Sequence, residues 1–249
     1  MTVSAPEARR SLAGRVVLVT GATGGLGRVV IKRLLEAGAV VAAVHRDEAK
    51  FGELLEVVGS GTGDSLTGYK ANVTSDAEVR AMLERILGRH GRIDALLNLV
   101  GAYRGGADIA DTGEDDWDFL MRTNLKSAFL CSRAVLPAMA KAGAGRIVCV
   151  AARPAVENKG LAKSGAYAVS KAGVVALTRA IAEETRKSGI TANCIVPGTI
   201  DTPKNRIAIS GADPSKWADP EAIAEVLLFL VSDASSVTSG AVIPVYGKG

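Results

Sequence analysis

Short apolar runs alternate with amphipathic stretches along the whole chain. Residues 15–20 (RVVLVT), 39–44 (AVVAAV), 95–101 (ALLNLVG), 146–151 (RIVCVA), 191–196 (TANCIV) and 241–246 (AVIPVY) read as strands, with a weaker one over 65–71. Most are continuously apolar rather than alternating, which marks strands covered on both faces. Between them the spacing predicts helices over 26–37, 49–58, 76–90, 114–142, 166–188 and 220–232. Gly38 stops the first and Ser75 caps the third. Pro137 is expected to kink the end of the long one.

Strand–helix alternation of this kind predicts an α/β fold: a doubly wound, seven-stranded parallel sheet with right-handed crossovers and helices on both faces. No repeat or linker interrupts it, so residues 1–249 read as a single Rossmann-type domain. In such sheets ligands collect beyond the carboxyl ends of the strands.

Composition agrees: 48% of residues are apolar but only 4% aromatic, so Val, Ala, Leu and Ile must build the core. The net charge is +4. The closest basic cluster is Arg85, Arg89 and Arg92, without interleaved aromatics, which weighs against nucleic-acid binding. Cys131, Cys149 and Cys194 lie in apolar runs without metal-ligand spacing and read as buried thiols; no metal site is expected. Residues 1–14 carry no apolar signal core, and no run is long enough to span a bilayer. A cytoplasmic protein without membrane partners is the expectation.

The stretch TGATGGLG (20–27) leaves the first strand and opens the first helix. Gly21 permits the tight turn, Gly25 a close approach to a pyrophosphate, and Gly27 helix–strand packing. The exposed N–H groups of the helix start then face phosphate charge. Farther on, GAYAVSKAG (165–173) sets Tyr167 and Lys171 one helical turn apart on one face. A free phenol, with a pKa of about 10, is a poor acid or base at neutrality. A neighbouring ammonium favours the phenolate, so the pair is expected to tune Tyr167 for acid–base work.

Thr20-Gly-x-x-x-Gly25-x-Gly27 followed by Tyr167-x-x-x-Lys171 resembles the short-chain dehydrogenase/reductase family over nearly the whole chain. Asn98 and Gly101 fall where the family has its Asn-Asn-Ala-Gly turn, Asn124 resembles its catalytic Asn, and Pro197-Gly198 with Thr202 resembles the nicotinamide-side segment. The resemblance implies a nicotinamide cofactor held by Gly21, Thr23, Gly24, Gly25, Leu26 and Gly27, by His45 and Arg46, by Asn72 and Val73, and by Asn98, Gly101, Pro197, Gly198, Ile200 and Thr202. Tyr167 and Lys171 complete that set. Tyr167 would exchange the substrate proton, Lys171 would hold the ribose, and Asn124 would position Lys171 through a water.

The second strand ends Val44-His45-Arg46, with no acid to bond the ribose hydroxyls; Arg46 suits a 2′-phosphate. NADP(H) is therefore favoured and NAD(H) stays open. One family feature is missing: Ala151 and Ala152 stand where the family has a serine donor after strand five. Ser164 is the nearer replacement, though a helix cap is its commoner role; Thr199 is the weaker one. Quinonoid dihydropteridine reductases, a branch of the family, share this alanine. The reading is a reductase of a carbonyl or quinonoid small molecule, with a dihydropteridine-reductase-like enzyme or a non-catalytic sensor or scaffold as alternatives. Tyr103, Arg153, Ala152, Ser164 and Trp217 are the expected substrate-side residues, under a short lid at 203–219. The resemblance also implies a homotetramer or homodimer.

Overall fold

Val16–Thr20 forms β1 and is buried along its length. The computed structural model describes residues 12–209 and 211–248. Residues 1–11 of the stretch read above for a signal, residue 210 of the expected lid and residue 249 lie outside that description. The other strands are β2 (Val40–His45), β3 (Leu66–Lys70), β4 (Ala95–Asn98), β5 (Gly145–Val150), β6 (Ile190–Pro197) and β7 (Val242–Val245). All pair in parallel in the order β3-β2-β1-β4-β5-β6-β7. This is the doubly wound sheet that the alternation predicts.

The helices are α1 (Gly25–Glu36), α2 (Glu48–Val58), α3 (Asp76–His90), α4 (Glu114–Leu120), α5 (Ser127–Ala142), α6 (Gly165–Glu184), α7 (Pro203–Ala208) and α8 (Pro220–Val231). Alternate strand residues feed two cores. Leu18, Ala42, Leu96, Ile147 and Ala192 face the layer that holds α3, α5 and α6. Val17, Val41, Leu97, Val148 and Ile195 face the layer of α1, α2 and α8. Period-two strands buried on both sides have no polar face to show, which is why their runs are continuously apolar. Each fully buried Leu or Ile contributes about 1.5–3 kcal/mol.

Ser75 caps α3 as expected, accepting from the Glu78 N–H. The long helix departs from expectation. It stays α-helical through Pro137; its irregularity lies at Met121–Lys126, a π-helical segment between α4 and α5. A π segment inserts extra residues into a turn and re-aims a side chain, a device frequent at functional sites. The side chain it turns into the protein here is Asn124. The three cysteines are free and buried. Burial pushes the Cys131 and Cys194 thiols up to about 12, so they remain inert.

Candidate active site

The sheet reverses winding between β1 and β4, and their carboxyl ends lie side by side there. The Thr20 hydroxyl ties the two ends together, donating to the Leu97 carbonyl at 3.4 Å and accepting from the Leu99 N–H at 3.2 Å. Gly21 turns the chain with φ +69°, a conformation glycine adopts without strain. At Gly27 a methyl would overlap the Gly21 carbonyl oxygen and stand 2.7 Å from that of Ala22, so helix and turn pack backbone on backbone. Gly24 is the N-cap of α1, makes no side-chain cap bond, and no acid follows in the first turn. The exposed turn therefore offers uncapped N–H groups to an anion. Thr202 closes its far side: a Cβ on Gly25 would stand 2.7 Å from the Thr202 methyl. Leu26 is buried beneath, and Thr23 is held through its carbonyl by Arg28, which also pairs with Glu53 at 2.5 Å.

The second half of the site is built around Gly101. A Cβ there would lie 2.9 Å from Lys171 Nζ and 3.5 Å from Asn124 Oδ1. Asn124, 1% exposed, grips the next residue from both sides. Its Oδ1 accepts from the Ala102 N–H at 2.7 Å and its Nδ2 donates to the Ala102 carbonyl at 3.0 Å. The same Nδ2 donates to Ser170 at 2.9 Å, and the Ser170 hydroxyl donates to the Tyr167 carbonyl at 2.7 Å. One buried amide thus fixes the exit of β4 against the helix that carries Tyr167 and Lys171.

Lys171 is 4% exposed and donates to the Val150 carbonyl on β5 at 2.8 Å. Burial lowers its pKa to about 8, with Cys194 and Cys149 opposing. Tyr167 is half-buried. Burial, then the neighbouring Tyr103, pushes its phenol up to about 12. The expectation that Lys171 lowers the phenol is therefore corrected: the ammonium is engaged at β5, and burial governs the tyrosine.

Tyr103 follows β4 and packs edge-to-face on Tyr167, with centroids 5.0 Å apart. Ser164 occupies the N-cap position of α6 without a cap bond; its hydroxyl lies 3.1 Å from that of Tyr103. The capping role expected of it yields to this pairing. Arg153 pairs with Glu157 at 2.8 Å and sits 4.2 Å over the Tyr246 ring, joining the exit of β5 to the C-terminal segment. Ala152 is buried at that exit. The lid folds as α7 and a 3-10 turn at Pro214–Lys216. A bridge between Ile200 and Ala218 closes its base. Thr202 accepts from the Asn205 N–H at 3.2 Å. The Trp217 backbone lies close against Gly247, and Gly198 close against the Tyr246 backbone, following Pro197 at the end of β6.

At the end of β2, His45 is buried and stacks on Phe51 with centroids 4.6 Å apart. Its Nδ1 is buried without a hydrogen-bond partner. Arg46 is exposed. Asp47 is committed to capping α2 through the Ala49 and Lys50 N–H groups. The Asn72 Oδ1 accepts from the Thr74 hydroxyl at 2.9 Å and the Thr74 N–H at 3.1 Å, and Val73 is buried in the core. Asn98 also turns inward, donating to Ser132 at 3.1 Å and to the Cys149 sulfur at 3.5 Å. Its side chain serves the core, not the cleft.

The structure thus brings the glycine turn, Gly101, Asn124, Tyr167 and Lys171 to one edge of the sheet. Sequence reasoning missed Ser170, whose position between Tyr167 and Lys171 was the available signal, and the backbone acceptors at Ala102 and Val150, for which no signal exists. Among the described residues no cluster fit to hold a metal occurs, and no helix is long and apolar enough to cross a membrane.

Sheet order and glycine turn define the doubly wound α/β class, whose ligands bind at the switch point beyond the strand ends. The chain belongs to the short chain dehydrogenase family, whose sequence model matches residues 15–210. It is 36% identical over 241 residues to the hydroxy(phenyl)methylsuccinyl-CoA dehydrogenase subunit BbsD of Thauera aromatica, covering 94% of this chain and 95% of that protein. It is 33% identical over 245 residues to the 3-oxoacyl-acyl-carrier-protein reductase FabG of Thermotoga maritima, covering 95% and 98%. Among solved structures, a short-chain dehydrogenase/reductase from Burkholderia xenovorans superposes with a TM-score of 0.85 at 34% identity, over 96% of this chain and 97% of that one. Levodione reductase superposes with a TM-score of 0.85 at 30% identity, over 96% and 98%.

Proposed function

We propose that this protein is an NADPH-preferring reductase of a carbonyl or quinonoid small molecule, with Tyr167 as proton donor. The observation that carries the reading is the convergence of Lys171 and Asn124 on Gly101, with Asn124 tied through Ser170 to the Tyr167 backbone, beside an uncapped glycine turn. Gly21, Gly24, Gly25 and Thr202 would hold the pyrophosphate of the cofactor, and Lys171 its nicotinamide ribose. A bound nicotinamide supplies the hydride.

The chain's own part is proton handling. The Tyr167 phenol, pushed up to about 12 by burial, is protonated at neutral pH as a free phenol is, and that is the form that donates to a substrate oxygen becoming an alkoxide. Asn124 holds the β4 exit and the helix of Tyr167 in one frame, so the phenol meets the substrate with its backbone fixed. Ala152 gives no donor, and losing one oriented donor costs roughly 10²–10³ in rate at a localised oxyanion. A quinonoid substrate, which spreads its charge, tolerates that loss best. Arg46, exposed just beyond the end of β2, supports a 2′-phosphate. By the same reading the enzyme is a cytoplasmic homotetramer or homodimer, whose contact helices α5 and α6 expose Phe129 and Val169.

The test is NADPH oxidation with a ketone, a quinone and a quinonoid dihydropterin, for the parent and Tyr167→Phe. The parent is expected to turn over one of these classes, and the variant to lose at least about 10²-fold in kcat while NADPH binding holds. Unchanged turnover in the variant refutes the assignment.

A further inference from the structure

The hydroxyls of the site fall into two kinds. Those of Ser170 and Thr202 are committed to local backbone, Ser170 donating to the Tyr167 carbonyl at 2.7 Å and Thr202 accepting at the start of α7. The Tyr103 and Ser164 hydroxyls are bonded to each other, 3.1 Å apart. Ser164 is buried, whereas Tyr103 is 63% exposed with its ring against Tyr167.

Three features of the backbone deliver this pair. Lys163 has φ +58°, a left-handed conformation that costs a side-chain-bearing residue. Its carbonyl accepts from the Gly106 N–H at 2.8 Å, which holds that conformation against the loop carrying Tyr103. At Gly105 a Cβ would lie 2.7 Å from Tyr103 Cζ, so the loop passes directly under the phenol. Ser164 meanwhile forgoes the cap bond its position offers. Strain, a close backbone approach and a sacrificed cap all meet at one contact, the hydrogen bond between Ser164 and Tyr103.

We propose that the Tyr103 hydroxyl, positioned by Ser164, is the second hydrogen-bond donor to the reacting oxygen, replacing the hydroxyl absent at Ala152. The inference rests on the reductase reading above. When Ser164 donates to Tyr103 Oη, the Tyr103 hydrogen is released toward the open side of the site. Tyr103 transfers no proton: Tyr167 gives its proton to the substrate oxygen, and Tyr103 stabilises the charge that develops there first. Tyr103 is the catalytic residue of the pair and Ser164 its positioning residue.

Tyr103→Phe keeps the ring and its contact with Tyr167 and removes only the hydroxyl. The probe is 9,10-phenanthrenequinone, used in turnover with NADPH and bound to the NADP⁺-loaded protein for its infrared carbonyl stretch. Tyr103→Phe is expected to lower kcat about 10²-fold, to leave NADPH affinity unchanged, and to move the bound carbonyl band back toward its free position. Ser164→Ala is expected to lower kcat without raising KM, and Ser164→Thr to restore it. Adding Ala152→Ser to Tyr103→Phe is expected to recover a large part of the lost rate. A Tyr103→Phe variant with parental kcat and an unmoved band overturns the proposal. If Tyr167→Phe alone moves the band, the reductase reading survives that failure. A parent that neither oxidises NADPH with the quinone nor shifts its carbonyl band overturns both.

Discussion

Lys171 carries an ammonium into the protein interior. It is 4% exposed, and its partner is one backbone carbonyl, that of Val150 at 2.8 Å. Burial depresses its pKa from 10.5 to about 8. At about 1.4 kcal/mol per unit, the folded state carries a cost of about 3 kcal/mol for the charged form at neutral pH. Lys171→Met keeps the length of the side chain and removes the charge. It also leaves the Val150 carbonyl without this donor, a loss of about 1 kcal/mol. The variant is therefore expected to be more stable than the parent at pH 7 by about 2 kcal/mol and inactive. The pH dependence follows from the two pKa values. Below about 8 the lysine is charged in both states and the folded protein bears the full cost. Between about 8 and 10.5 the unfolded chain binds more protons than the folded one, so parental stability rises with pH. Above 10.5 both states are neutral and the cost is gone. Urea unfolding of parent and variant at pH 7 and pH 10 reads this directly, because other titrating groups are common to both. The stability gap should narrow at the higher pH. A methionine variant less stable than the parent at pH 7, or a gap that ignores pH, refutes the reasoning.

Two further outcomes follow from the same site. Gly27→Ala pushes a methyl into the Gly21 and Ala22 carbonyls; backbone cannot rotate away, so about 1–3 kcal/mol should be lost, seen by calorimetry as a lower Tm together with weakened NADPH binding. An unchanged Tm contradicts the packing argument. Arg46→Ala should raise the Kd for NADPH about tenfold, the scale of one charge-assisted contact, and leave NADH untouched in a calorimetric titration; equal weakening of both would remove Arg46 from phosphate recognition.

The pattern of the chain carried the sheet because parallel strands covered on both faces write themselves as unbroken apolar runs. The glycine turn was equally legible, since its demands on φ and Cβ are local. So was the Tyr167–Lys171 pair, because helical spacing alone puts the two side chains on one face. Local rules also misled. Nothing local announces the π-helical segment at Met121–Lys126 inside the long helix. Ser164 stands where a cap belongs and does not cap.

What decided those points is contact between residues far apart in the chain. Lys171 turns to a carbonyl 21 residues back, Ser164 to a phenol 61 residues back, and Asn98 into the core against Ser132 and Cys149. A hydrogen bond depends on where two atoms come to rest, and burial on everything packed around them; neither is a property of a segment. Sequence determined the strands, the turn and the placing of Tyr167 and Lys171 on one helix. Only the packed structure decided which partner each polar group found, and with it the direction in which burial moves each pKa.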